Sequence, residues 1–197
     1  MTSLHSADLR IAADYERARP GARAEAIELR RLRRIQVGDL VSVVFENQET
    51  LRAAAEESLR ADRVEQPEEV AAEASRFAAL LPQPGGLAAS LYLDVADPSE
   101  LAGLDADLAG IAASVQLEVA GVPAFAEVLP NQAGAPAAYL RFSLSDAQRD
   151  AWLEGAPVRI AVSHPRGAAA TALSDEQRAA LALDLRSTAA PSSATTP

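Results

Sequence analysis

The chain has 197 residues, 49% hydrophobic and 23% charged, a length suited to one domain or two small ones. It contains no cysteine, which excludes disulfides, iron–sulfur clusters and thiolate zinc sites built from this chain. A net charge of −10, from 28 acidic and 18 basic residues, disfavours general nucleic-acid binding, which rests on cations meeting phosphate. Every basic residue is an arginine, and alanine makes up nearly a quarter of the chain, the usual mark of a GC-rich genome. No run approaches the roughly 18 consecutive apolar residues of a membrane span. Residues 1–14 lack an apolar core, so no signal peptide is expected and the chain reads as cytoplasmic. The charge is uneven. Residues 1–40 hold eight arginines against six carboxylates, and residues 46–73 hold nine carboxylates against three arginines. That contrast favours one specific partner or anion over a polymer of phosphates.

In chain order, residues 1–7 read as a disordered N-terminus. A helix is expected from Pro20, which suits a first turn, to Arg34, with Ala22, Leu29 and Leu32 on one side. Arg30, Arg31, Arg33 and Arg34 crowd its end, where cations favour the macrodipole. Gly38-Asp39 makes a turn into a short strand at 40–45. Asn47 is placed to cap a helix running to about Asp62, with Leu51, Ala55 and Leu59 on its buried side. Pro67 opens a third helix with the stripe Val70, Ala74, Phe77 and Leu81. The run Pro82-Gln83-Pro84-Gly85-Gly86 ends it, closing a helical half at 8–83.

The half at 84–186 alternates strand and helix. Strands are expected at 87–95, 114–120, 138–144, 158–162 and 168–173. A helix start is expected at Asp97-Pro98-Ser99-Glu100, and a loop or hairpin arm at 122–135. Ser145 and Gln148, then Ser174 and Gln177, form two capping boxes. The segments LSDAQRDAWL and LSDEQRAALA match closely. They are either one good cap used twice or a duplicated strand–helix unit. Residues 187–197, rich in Ser, Thr, Ala and Pro, read as a disordered tail. The fold class is therefore α+β, with an N-terminal helical segment packed on a mixed, mainly antiparallel sheet. The order from Leu87 matches a ferredoxin-like split βαβ sheet.

Chemistry is sparse. The two histidines, His5 and His164, lie outside any HExxH or ExxH spacing, so no metal site is expected and no cofactor is called for. Gly85-Gly86 follows a helix and precedes a strand, the reverse of a nucleotide loop. Ser163 and His164 are neighbours on a strand and point to opposite faces. Two polar clusters remain. Arg31, Arg33 and Arg34, with Arg30, can grip carboxylate or phosphate through guanidinium forks, or pair with the acidic stretch 46–73. Glu46 and Asn47 sit where a strand meets a helix N-terminus, a place for an anion or a cap.

A series of residues across the chain resembles the bacterial family known as domain of unknown function 3501. It includes Asp14-Tyr15-Glu16-Arg17, Arg23, Arg31 to Arg34, Val37-Gly38, Phe45-Glu46-Asn47, Thr50 and Leu59 to Asp62. It resumes at Pro84-Gly85, Ala89 to Leu93, Tyr139 to Phe142, His164-Pro165 and Leu173-Ser174. The resemblance spans about 8–186. It implies a gene neighbourhood holding a rubrerythrin-like protein and a heterodisulfide-reductase-like iron–sulfur oxidoreductase, hence a role near peroxide defence or redox metabolism. The chain departs from the pattern at 53–58, where AAAEES stands in place of larger apolar residues and glutamines.

Two functions follow from these readings. One is a non-catalytic accessory protein that docks a redox partner through Arg31, Arg33 and Arg34, with Glu46 and Asn47 fixing the junction. The other is a small-molecule binder or cofactor-free enzyme, its pocket between the helical half and the sheet, using Glu46, Arg60, Tyr139, Arg141 and His164. Its acid–base work falls to His164.

Overall fold

The computed structural model describes residues 3–39, 41–94, 109–130, 137–165 and 167–188. The expected helix start at 97–100 and the final residues 189–197 lie outside them. The chain divides into two compact units, one built from 1–33 and 46–81, the other from 34–45 and 82–197.

The first unit is helical. A single 3-10 turn at Ser6–Asp8 leads into α1 (Ala12–Arg31), followed by α2 (Gln48–Ala61) and α3 (Pro67–Ala78). α1 begins eight residues before Pro20, which sits inside it. The proline forfeits the bond to the Glu16 carbonyl and crowds it, a local cost that α1 bears because Arg10, Tyr15, Glu16 and Arg19 tie it and its lead-in to α2. The helix expected from Pro20 to Arg34 therefore starts earlier and ends at Arg31. α2 is capped reciprocally: the Asn47 side chain accepts from the Thr50 amide at 3.0 Å, and the Thr50 hydroxyl accepts from the Asn47 amide at 2.8 Å. Leu51, Ala55 and Leu59 of α2 meet Val70, Ala74 and Phe77 of α3 in one core, which also takes Leu4, Leu9 and Leu81.

The second unit is an eight-stranded sheet. Its strands are β1 (Arg34–Val37), β2 (Val41–Glu46), β3 (Gly86–Leu93), β4 (Val115–Val119), β5 (Val122–Val128), β6 (Ala138–Ser143), β7 (Val158–His164) and β8 (Gly167–Ala172). They lie in the order β1-β2-β3-β6-β5-β4-β7-β8, and each pair with a defined register is antiparallel. The ends of this order approach each other. The Thr171 hydroxyl of β8 donates to the Gln36 carbonyl of β1 at 2.7 Å. A Cβ on Gly38 would lie 2.9 Å from that of Ala169. The sheet is thus a nearly closed antiparallel barrel. Helices α4 (Asp146–Leu153) and α5 (Asp175–Thr188) belong to the same unit, and residues 109–113 are also helical.

This overturns the ferredoxin-like split βαβ sheet. Such a sheet needs strand 158–162 in the central four-stranded array with 86–93. Instead β7 pairs with β4 and β8. The cause is local. Residues 122–128, expected as a loop or hairpin arm, are the hairpin arm and form a full strand between β4 and β6. Ala120 and Gly121 both adopt positive φ, at 50° and 80°, and make the two-residue turn that suits a twisted hairpin. β1 is an unexpected strand, hidden in the sequence by the arginines that open it.

Alternation along the strands sends one set of side chains into a common core: Val43 and Phe45, Leu87 and Leu91, Leu117, Leu140 and Phe142, and Ile160. Phe45 and Phe142 pack as a tilted pair with centroids 6.1 Å apart. Both capping boxes form, at Ser145/Gln148 and Ser174/Gln177. Each follows a buried leucine, Leu144 or Leu173. The two helices are tied together: the Trp152 indole donates to the Arg178 carbonyl at 3.1 Å, and the Arg178 guanidinium donates to the Gly155 and Ala156 carbonyls.

Candidate functional site

α1 is 20 residues long and buries only Tyr15 and Ala22. Polar side chains fix it and its lead-in to α2. Arg10 grips Glu56 through its backbone amide at 3.0 Å, its Nε at 2.9 Å and its Nη2 at 2.7 Å. The Tyr15 hydroxyl donates to Glu57 Oε1 at 2.9 Å, and Arg19 forks onto the same carboxylate from the opposite end of one helical turn. Glu16 takes Arg60 Nε at 2.6 Å. Ala12 and Glu16 of α1 lie with Leu59 and Arg60 of α2, and Ala26 and Arg30 with Ala53 and Ala54, so the two helices run antiparallel. The Arg19 fork, aided by the Tyr15 hydroxyl and opposed by burial, holds the Glu57 carboxyl below the usual carboxylate range. Burial first, then the bond to Glu57, pushes the Tyr15 phenol up to about 12. At neutral pH Glu57 is ionised and Tyr15 keeps its proton.

Beyond this pair the two helices leave an open groove of about 300 Å³. Its floor is Ala22, Ala26, Ala53 and Ala54, and Arg23, Ile27 and Arg30 stand along its α1 side. Ile27 is 64% exposed. Among the described residues neither Arg23 nor Arg30 forms an ion pair, although their neighbours on α1 do: Arg17 with Asp14, Arg19 with Glu57, and Arg31 with Glu28. The stretch 53–58 supplies Ala53, Ala54 and Glu57 to the groove and Glu56 to the Arg10 clamp. A second hollow of about 320 Å³ is bordered by Ala12, Glu16, Arg60, Arg63 and Glu65. Its two arginines and two glutamates balance.

The structure distributes the residues singled out from sequence. Arg31 is exposed and pairs with Glu28 at 3.3 Å. Arg33 lies beyond the end of α1 and is 4% exposed, so it offers no surface. Arg34 opens β1 and pairs with Asp94 at 3.0 Å. Glu46 is buried as the last residue of β2, and Asn47 is the α2 cap. Arg60 is held by Glu16. Tyr139 and Arg141 lie on the outer face of β6, opposite Leu140 and Phe142, and Arg141 sits 3.8 Å from Glu127 on β5. His164 ends β7 on the side of Val158, Ile160 and Val162. It is three strand spacings from β6, roughly 14 Å along the sheet, and on the other face. His164 therefore does not converge with Tyr139 and Arg141. Among the described residues no group of three His, Asp or Glu is placed to hold a metal ion.

Tyr15 and Arg23 enter the sequence reading only through the family resemblance, and Arg19, Ile27 and Glu57 are not singled out by it. A helix start at Pro20 leaves Tyr15 and Arg19 off α1, whereas Arg23 and Ile27 lie within the expected helix and become a site only where α2 brings Ala53, Ala54 and Glu57 beside them.

A family profile described as protein of unknown function (DUF3501) matches residues 3–185. The chain belongs to this family. Among solved structures, the DUF3501 chain is similar to a crystal structure from Burkholderia pseudomallei K96243 titled as a novel protein of unknown function. That structure shows a TM-score of 0.82 at 25% identity, covering 89% of this chain and 95% of the other. No curated protein matches this chain. No described helix of this DUF3501 protein is long and apolar enough to cross a membrane.

Proposed function

We propose that this DUF3501 protein is a cytoplasmic, non-catalytic accessory protein that docks an acidic partner in the groove between α1 and α2. The observation that carries the reading is an exposed isoleucine flanked by two arginines, neither of which forms a direct ion pair among the described residues, although Arg23 lies within electrostatic reach of Glu57. Exposed aliphatic and arginine side chains around a shallow apolar floor are the composition of a protein-binding patch. A volume of about 300 Å³ is at the lower limit for a small-molecule site, and the groove is open rather than enclosed. The redox or peroxide-defence setting implied by the family resemblance supplies the first candidates, a rubrerythrin-like protein and an iron–sulfur oxidoreductase.

The test compares the tagged protein with its Arg23→Glu/Arg30→Glu variant in capture from the native host at low salt, read by quantitative mass spectrometry. The expected result is an acidic redox protein retained by the first, lost by the second and eluted as salt rises. Identical captured sets would overturn the proposal.

A further inference from the structure

We infer that the element received by this groove is an α-helix of the partner, carrying two carboxylates two turns apart on either side of an aliphatic residue. The inference rests on the docking reading above and makes it specific.

Three observations set the geometry. First, Arg23, Ile27 and Arg30 fall at i, i+4 and i+7 of one helix, so the arginines are about 10 Å apart along its axis with the isoleucine between them. A helix lying alongside presents carboxylates at j and j+7 with the same repeat, and its j+3 or j+4 side chain falls over Ile27. Second, the floor is four alanines, two from each of two antiparallel helices. Small side chains there admit a third backbone at close range, and ridges of one helix seat in such a furrow. Third, the groove walls are helix surfaces whose backbone groups are already bonded within α1 and α2. An extended segment would find no main-chain partners there, whereas a helix brings its own backbone satisfied.

Charge sets the chemistry. The rim is cationic at Arg23 and Arg30. The ionised Glu57, engaged by Arg19 and Tyr15, also lines the groove. A carboxylate brought against Glu57 would meet that anion, so acidic groups belong beside Arg23 and Arg30 and an aliphatic group between them, over Ile27. The chain carries 28 acidic residues, yet neither rim arginine is neutralised by an ion pair among the described residues. Burying this patch without carboxylates opposite would strand the Arg30 guanidinium and leave Arg23 only a share of the Glu57 charge that Arg19 already holds.

The probe is a pair of synthetic, fluorescein-labelled peptides of about 21 residues, long enough to be helical in an alanine-rich host. One carries Glu, Leu and Glu at j, j+4 and j+7. The other has the same composition, permuted so that the glutamates fall on opposite faces. Fluorescence anisotropy against the full chain is expected to show the matched peptide binding about tenfold tighter, as two rim ion pairs around an apolar contact contribute. Arg23→Glu/Arg30→Glu should erase the preference, and replacing the peptide glutamates with arginine should restore it for the variant, which also shows that the variant is folded. Ile27→Ser should weaken the matched peptide alone. Equal binding of the two peptides would overturn the helical geometry while leaving docking intact, provided host capture still depends on the arginines. Loss of arginine dependence in both experiments would remove the docking reading itself.

Discussion

The Arg10–Glu56 clamp predicts a large and asymmetric stability effect. The Glu56 side chain is fully buried, and Arg10 supplies three hydrogen bonds to it. Removing one partner of a buried pair leaves an uncompensated charge, which costs about 3–5 kcal/mol. Arg10 is one-third exposed and Arg52 lies 3.9 Å from the same carboxylate, so Arg10→Ala should fall at the low end, about 3 kcal/mol. Glu56→Gln keeps the shape and one acceptor and should cost about 1–2 kcal/mol. Replacing both side chains with apolar residues, Arg10→Met with Glu56→Leu, should cost less than Arg10→Ala, about 1–2 kcal/mol, the remaining cost being the Arg10 amide left without its acceptor. Urea unfolding followed by far-UV circular dichroism reads the midpoints at constant slope, and hydrogen exchange of the α2 amides localises the effect. An Arg10→Ala cost below about 1 kcal/mol would refute the reasoning, and so would strictly additive single and double variants.

On the alkaline side, the folded Tyr15 phenol holds its proton to about 12 while the unfolded phenol ionises near 10. Stability should therefore fall as pH rises from 10 to 12, and Tyr15→Phe should flatten that fall in urea midpoints. On the acid side, the lowered Glu57 carboxyl contributes stability above its unfolded value near 4.5 and loses it as pH falls through the folded value; Arg19→Gln should move the acid midpoint upward. A Cβ on Gly86 would lie 2.5 Å from the Phe142 carbonyl oxygen, so Gly86→Ala should cost about 1–3 kcal/mol by thermal melting. At Gly21 in α1 a Cβ meets nothing within 4 Å, and Gly21→Ala should stabilise by about 0.5–1 kcal/mol.

Local signals were legible wherever one helix or strand decides its own form. Asn47, Ser145 and Ser174 were readable as caps because a short polar side chain must serve the orphan amides nearby. Val70, Ala74 and Phe77 were readable as a stripe because burial follows the 3.6-residue repeat. What stayed open or failed was decided by distant chain. Pro123 leaves 122–135 open between a loop and a hairpin arm, and β5 is decided by Val119 with Val122, and then Ala126 with Phe142, pairing across neighbouring strands. The arginines 30–34 look like one charged helix end. The helix instead stops at Arg31, Arg33 is buried, and Arg34 begins a strand whose partner is Val44. The groove was invisible for the same reason. Its floor comes from Ala22 and Ala53, which periodicity cannot bring together across an intervening hairpin.

That hairpin has a consequence for synthesis. β1 and β2 are made between α1 and α2, 40 residues before β3, the next strand beside them. At ~5–20 residues per second on the ribosome, Ile35, Val43 and Phe45 wait about 2–8 s for that neighbour. The seam closes later still, since Gln36 and Thr171 are 135 positions apart. A nascent chain therefore carries an adhesive ribbon well before it has a barrel to hide it in, and slow decoding between residues 46 and 86 should raise the fraction lost to aggregation.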